Sequence, residues 1–297
     1  MVMEFQEFVD AVFRDVEEKA AGKFKVQVHD TVKNNGIRLT GIAAVEESGG
    51  PCVYLNEPYR EYQDGEMQYD EIVDEVFYQL ADSRNALQGI DIEKFKKWEN
   101  IQGNIRAKLV NMERNQEQLK TMPHRMFLDL AVVYYVMVID RGEEIGMFLI
   151  HHGHMEVWGK DEEALYQTAM QNMRADGKAD FFSMETLIKQ VCGAPPMDRW
   201  QDTGMYILTN RNKRFGASEL LDKGTLRMMA DQMGDGFIVL PSSIHECIVL
   251  RPRVPSKYKD LSYMVRAVND AEVSEEERLS DHVYAYSGKE ETLEIVA

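Results

Sequence analysis

Hydrophobic and polar positions along the first ninety residues alternate between two periods. Phe5, Phe8, Val9, Val12, Phe13 and Val16 recur at steps of three and four, which predicts an amphipathic helix over residues 3–20, ended by Gly22. From 23 to 32 the period shortens to two. Phe24, Val26 and Val28 share one face there, as in a half-buried strand. Asn34-Asn35-Gly36 tolerates positive φ and predicts a hairpin turn, with residues 37–47 as the returning strand. Gly49-Gly50-Pro51 turns into a short strand over 52–56. Ile72, Val73, Val76, Phe77 and Leu80 then restore helical spacing across 66–88.

Beyond residue 90 a short helical piece (91–98) precedes a strand at 105–113. Thr121-Met122-Pro123 breaks the pattern and suggests two lobes, 1–120 and 121–297. Residues 126–139 are too β-branched and aromatic for an ordinary helix and predict a strand. Asp140-Arg141-Gly142 is its turn and 145–159 the returning strand. Asp161 caps a helix to 176, with acids in the first turn as the helix dipole favours. A second helix, 183–193, closes at Gly193 and is followed by a loop from Ala194-Pro195-Pro196 to Trp200. The remainder reads as a strand (205–210), one or two helices (216–233), two strands around Pro241-Ser242-Ser243 (236–252), a helix (260–270) and a β pair (282–288 and 292–297). Helices mixed with antiparallel hairpins, without a βαβ rhythm, predict an α+β fold: mixed, largely antiparallel sheets with packed helices, in two lobes.

Composition narrows the classes. The chain has 297 residues, 44% of them hydrophobic and 29% charged, which excludes wholesale disorder and fibrous repeats. No apolar run reaches the ~18 residues of a membrane span, and the acidic amphipathic start lacks the basic segment of a secretory signal. Cys52, Cys192 and Cys247 form neither an even framework nor a CxxC pair, so reduced thiols in a cytoplasm are expected. The formal charge of −17 is unevenly spread. Residues 56–93 carry eleven acids against two bases and 270–297 nine against two, whereas 94–125 carry eight bases against three acids. These bases are not interleaved with aromatics in a stacking pattern, and the acidic background repels phosphates. Nucleic acid is therefore not an expected partner. They are expected to be solvated helix faces or an internal complement to the acids.

Seven stretches together carry a resemblance: VKNNGIRLTG (32–41), YREYQDGE (59–66), LDLAVVYYV (128–136), MEVWGKDEEAL (155–165), MYILTNRNKRFGASELL (205–221), VLPSSIHECIVL (239–250) and LSDHVYAY (279–286). In this order, over nearly the whole chain, they resemble a domain-of-unknown-function family of anaerobic gut Firmicutes, numbered 5688. The C-terminal half is similar, more weakly, to another uncharacterised bacillar family. The resemblance implies a bacterial protein of the cytoplasm and supplies no reaction.

No GxGxxG, GxxxxGK[ST], HExxH, GxSxG or EF-hand loop occurs. Three local clusters remain. On a strand, alternate residues share a face, so His152, His154 and Glu156, next to His151, can present the ligand set of an open transition-metal site. Gly153 interrupts it, and the expectation is a solvated strand end with no metal and no cofactor. Ser242, Ser243, His245 and Glu246 crowd a strand junction, with Asp281 and His282 as donors from elsewhere. A serine nucleophile needs its base in contact. On an extended chain Ser243 and His245 share a face too far apart for that, so a triad confined to this segment is not expected. If the 282–288 strand pairs beside the 245–250 strand, Asp281 or His282 meets His245, raising its pKa and fixing its tautomer. Finally, Asn210, Arg211, Asn212, Lys213 and Arg214 form a polar turn whose backbone amides, at a helix start, can hold an anion.

The leading expectation is a non-catalytic cytoplasmic binding or assembly protein, with an unknown protein partner or small ligand. The first alternative is a metal-independent hydrolase or transferase using His245 with Glu246, Asp281 or His282. The second is an anion- or nucleotide-binding regulator using the 210–214 turn.

Overall fold

A computed structural model describes residues 3–45, 50–87, 91–141, 144–192, 204–252 and 258–297. It divides into two compact units, one of residues 1–33 and 37–95, the other of 34–36 and 96–297. The fold is α+β, and its paired strands run antiparallel. Among the described residues no helix is long and apolar enough to cross a membrane. The expected turns through Gly49 and Gly142, and the loop from Gly193 to Trp200, lie outside the described residues.

The first unit holds α1 (Phe5–Ala20), β1 (Lys25–Val32), β2 (Arg38–Val45), β3 (Cys52–Tyr54), α2 (Asn56–Asp64) and α3 (Tyr69–Leu87). Phe8, Val9, Val12 and Val16, the stripe read from the sequence, are fully buried against Ile42 of β2 and Ile72, Val76 and Leu80 of α3. The turn between β1 and β2 has Asn35 at φ 60°. Helix α2 has no counterpart in the sequence pattern, where CVYLN reads as strand to 56. Pro58 suits a first helical turn and Gly65, at φ 73°, closes the last. Its Tyr62 ring stacks on Phe8 at 5.3 Å.

The second unit continues with α4 (Trp98–Ile101), β4 (Ile105–Asn111), α5 (Gln116–Leu119), β5 (His124–Phe127), β6 (Leu130–Arg141), β7 (Glu144–Leu149), α6 (His152–Trp158), α7 (Glu162–Asp176), β8 (Asp180–Ser183) and α8 (Met184–Cys192). After these come β9 (Met205–Thr209), a 3₁₀ turn (Gly216–Leu221), α9 (Lys223–Met233), β10 (Gly236–Leu240), β11 (Cys247–Leu250), α10 (Tyr258–Glu272), β12 (Tyr284–Ser287) and β13 (Thr292–Ile295). One sheet runs β4-β6-β5, with β7 also on β6; the other runs β13-β12-β10-β11-β9-β8. Val132 of β6 pairs with both Leu109 of β4 and Arg125 of β5, so the expected boundary at residue 120 falls inside the first of these sheets.

Three further expectations change. The 126–139 strand is a hairpin, β5 to β6, turned at Leu128 with φ 57°. The return strand ends at Leu149. Residues 152–158 are helical because His151 and His154 cap each other's turn and Gly159, at φ 62°, stops it. Strand β12 pairs with β10, not with the strand after His245, since β10 lies between β12 and β11.

Candidate functional site

The 210–214 turn follows β9 in the second unit. Asn210 closes it with both ends of its amide: Oδ1 accepts from the Arg214 N–H at 3.1 Å and Nδ2 donates to the Arg214 carbonyl at 2.7 Å. Lys213 and Phe215 sit in the left-handed region (φ 51° and 56°), which reverses the chain sharply. Gly216 follows because nothing larger fits. A Cβ there would meet Thr209 Oγ1 and lie 2.6 Å from both the Asn210 nitrogen and the His245 carbonyl. The turn so held borders a cavity of about 350 Å³ between it, β4, β6 and the end of α7.

Cations on this cavity divide into two kinds. Arg106 is committed: Nε and Nη2 form a two-pronged pair with Asp176 at 2.5 and 2.8 Å. The side chains of Lys178, Arg211 and Arg214 make no hydrogen bond or ion pair among the described residues, and all three line the cavity.

Glu219 lies on the same cavity and is 8% exposed. Its carboxyl accepts no hydrogen bond among the described residues. Burial first, then the charges of Asp222, Asp176 and Asp180, push its pKa up to about 7. Asp222 is itself engaged, capping α9 through the Thr225 N–H at 2.9 Å and pairing with Arg174 at 2.8 Å. A second cavity, about 460 Å³ and walled partly by Met170 and Met228, shares Glu219 and Lys178 with the first. A carboxyl poised near neutrality on a cavity wall can give or take a proton, or receive a cation. Glu219 is barely marked in the sequence. Its one signal is a lone acid between Ala217-Ser218 and Leu220-Leu221.

His245 is elsewhere engaged. Nδ1 accepts the Phe215 N–H at 3.1 Å, so the neutral ring carries its proton on Nε2, which lies 3.5 Å from Glu277 Oε1. Burial, reinforced by Lys108 and Arg214, depresses its pKa despite Glu277. The expected rise therefore does not occur. Ser243 Oγ accepts the backbone N–H of His245, not a bond from the ring, at 3.1 Å. Ser242 is buried and Glu246 exposed.

Asp281 and His282 form a separate group. His282 Nδ1 meets Asp129 Oδ2 at 2.9 Å; Ser280 donates to the same oxygen at 2.7 Å, and the Tyr284 hydroxyl donates to Oδ1. Asp281 accepts from Asn269 at 2.7 Å and pairs with Arg114 at 3.4 Å. Neither residue is a partner of His245. No local pattern in the sequence marks either acidic partner, Glu277 or Asp129.

The three histidine-region candidates do not share a strand face. In α6, His152 and Glu156 are one turn apart while His154 points elsewhere, accepting the His151 N–H at 3.0 Å and stacking on Trp158 at 5.6 Å. Among the described residues no three His, Cys, Asp or Glu side chains group to hold a metal ion.

The second unit thus presents an α+β scaffold with a basic cavity and one buried carboxyl on its wall. The chain belongs to the family of unknown function DUF5688, whose model matches residues 5–288, a span that includes every residue of this cavity. No curated protein and no solved structure matches it.

Proposed function

We propose that the protein binds a small anionic molecule in the cavity beside Asn210–Arg214. One observation carries this: Lys178, Arg211 and Arg214 line a single cavity without an ion-pair partner among the described residues, in a chain with 51 acids against 34 bases. Where acids are in such excess, basic side chains left unpaired around one concavity are arranged for a charge supplied from outside. Two guanidiniums offer planar, forked donors that match carboxylate or phosphate oxygens. The volume of about 350 Å³ is at the lower end of ligand pockets, which supports a metabolite-sized occupant over a polymer.

This is a binding function, close to the anion-binding regulator among the sequence alternatives. The surroundings of His245 lend no support to the hydrolase alternative, since Nδ1 is taken by a backbone amide and Ser243 faces the main chain.

The test is calorimetric titration of the protein with butanoate, succinate and inorganic phosphate at low salt. At least one should bind, and Arg211→Ala with Arg214→Ala should weaken it at least tenfold. Absence of binding by all three, or equal affinity in the double variant, would overturn the proposal.

A further inference from the structure

We infer that the ligand of this cavity is a zwitterion: its anionic group meets Arg211 and Arg214, and an amine of the same molecule is received by Glu219. The inference rests on the anion site proposed above and adds the second half of the ligand.

The reasoning concerns which acids already have counter-charges. Asp176 is paired with Arg106, and Asp222 with Arg174. Glu219 is more deeply buried than either, yet it has no ion pair and accepts no hydrogen bond among the described residues. Lys178, Arg211 and Arg214 share its cavity but form no pair with it, and the charges that act on it most, Asp222, Asp176 and Asp180, are all acidic. A buried carboxyl surrounded by acids stays protonated or takes up a cation. A residue serving only to fill this space would be apolar or an amide. The side chain instead reaches the cavity wall, where a ligand ammonium can donate to it and neutralise it. The anion-binding side chains and this carboxyl therefore divide the cavity's ligand into two charges of opposite sign.

Proton linkage follows. An ammonium binds the ionised carboxyl, so the proton resident on Glu219 leaves to solvent as the ligand enters. With the group titrating at about 7, roughly half a proton per ligand is released at pH 7, and affinity rises roughly tenfold from pH 6 to pH 8.

The experiment compares ω-amino acids of three to six carbons, and O-phosphoethanolamine, with butanoate and inorganic phosphate, by calorimetry in two buffers of different ionisation enthalpy. The expected result is that at least one amino-bearing probe binds tenfold or more tighter than its plain anion and releases protons. Glu219→Gln should remove that advantage, and the plain anions should bind it at least as tightly as they bind the parent, since a negative charge leaves the cavity wall. If the plain anions bind through Arg211 and Arg214 but amino groups add nothing and no proton is released, the zwitterion inference fails and the anion site stands. If no probe of either kind binds, both fail. Proton release is read on the unaltered protein, so the inference can be decided even if Glu219→Gln does not fold.

Discussion

The imidazole of His245 lies nearly parallel to the ring of Phe215, centroids 5.3 Å apart and planes 17° from one another, while accepting the N–H of that same residue at Nδ1. Phe215 holds a left-handed backbone at φ 56°, and the Lys108 ammonium sits over its ring at 4.7 Å. The histidine therefore anchors the residue that ends the cavity turn. It does so only as a neutral ring, because a protonated Nδ1 cannot accept.

That requirement sets a pH dependence. The folded pKa is depressed below the ordinary 6.5, so the unfolded chain takes up the proton first as pH falls. The stability His245 contributes is full above 6.5 and is lost as pH drops from there through the folded value. His245→Ala should cost about 1–3 kcal/mol at pH 8, the loss expected for an amide left without its acceptor. Urea unfolding at pH 8 and pH 5.5 should show the cost shrinking in acid. An equal or larger cost at pH 5.5 would contradict the arrangement.

Gly216→Ala tests the same corner from the other side. The new methyl would press on the Asn210 nitrogen and the His245 carbonyl, each 2.6 Å away, and both are backbone atoms that cannot turn aside. Overpacking of this kind costs about 1–3 kcal/mol. Since the strain falls on the 210–214 turn, anion binding should weaken along with thermal stability. A variant as stable as the parent would mean that the chain relaxes there freely.

How much of this is legible in the sequence depends on the range of the interaction. The α1 stripe, the β1–β2 hairpin and the Asp161 cap are set by neighbours within a few residues, and their signals are plain. The Asp161 carboxylate accepts from Ala164 N–H, as an N-cap acid should. Helix α6 is not legible because the apolar run of β7 continues to Ile150 and no periodic pattern marks the turn after it; the determinant is one pair of histidines acting as caps. The polar turn at 210–214 is visible, but its cavity is not, since the walls come from α7 and β4. The partners of His245 and His282 come from distant positions; Asp129 is 153 residues from His282. Strand order decides such meetings, and periodicity carries no record of it.

Asp129 offers a sharper test than His282. Its carboxylate accepts from Ser280 and Tyr284, which are 3% and 0% exposed, and burial together with Asp129 holds the tyrosine phenol protonated. Asp129→Ala removes the acceptor that two buried hydroxyls share and leaves them only each other and the His282 ring, a loss of about 1–3 kcal/mol. The side chain of His282 is 45% exposed, so His282→Gln should cost under about 1 kcal/mol. Chemical denaturation of both variants decides the matter. Equal losses would show that the histidine, not the hydroxyls, organises this group.

Glu219 carries the opposite pH signature to His245. Its folded pKa, about 7, stands above the ordinary 4.5, so between these values the folded chain holds more protons than the unfolded one. Stability from this group is therefore greatest below pH 4.5 and falls as pH rises to about 7, after which the loss is constant. The full difference corresponds to roughly 3 kcal/mol, since each pKa unit is worth about 1.4. Glu219→Gln removes the ionisable proton and nearly keeps the shape. At pH 8 it should stabilise the protein by roughly 1–3 kcal/mol, the remainder being the cost of an amide with no partner of its own. Near pH 4.5 the gain should vanish. Differential scanning calorimetry across pH 4.5–8 reads both ends, and carboxyl-carbon NMR follows the titration directly. A variant less stable than the parent at pH 8, or a gain that ignores pH, would mean that Glu219 already has its counter-charge inside the protein. Stabilisation confined to neutral and basic pH would mean that the native residue is held at a standing cost, as expected of a carboxyl placed for a ligand.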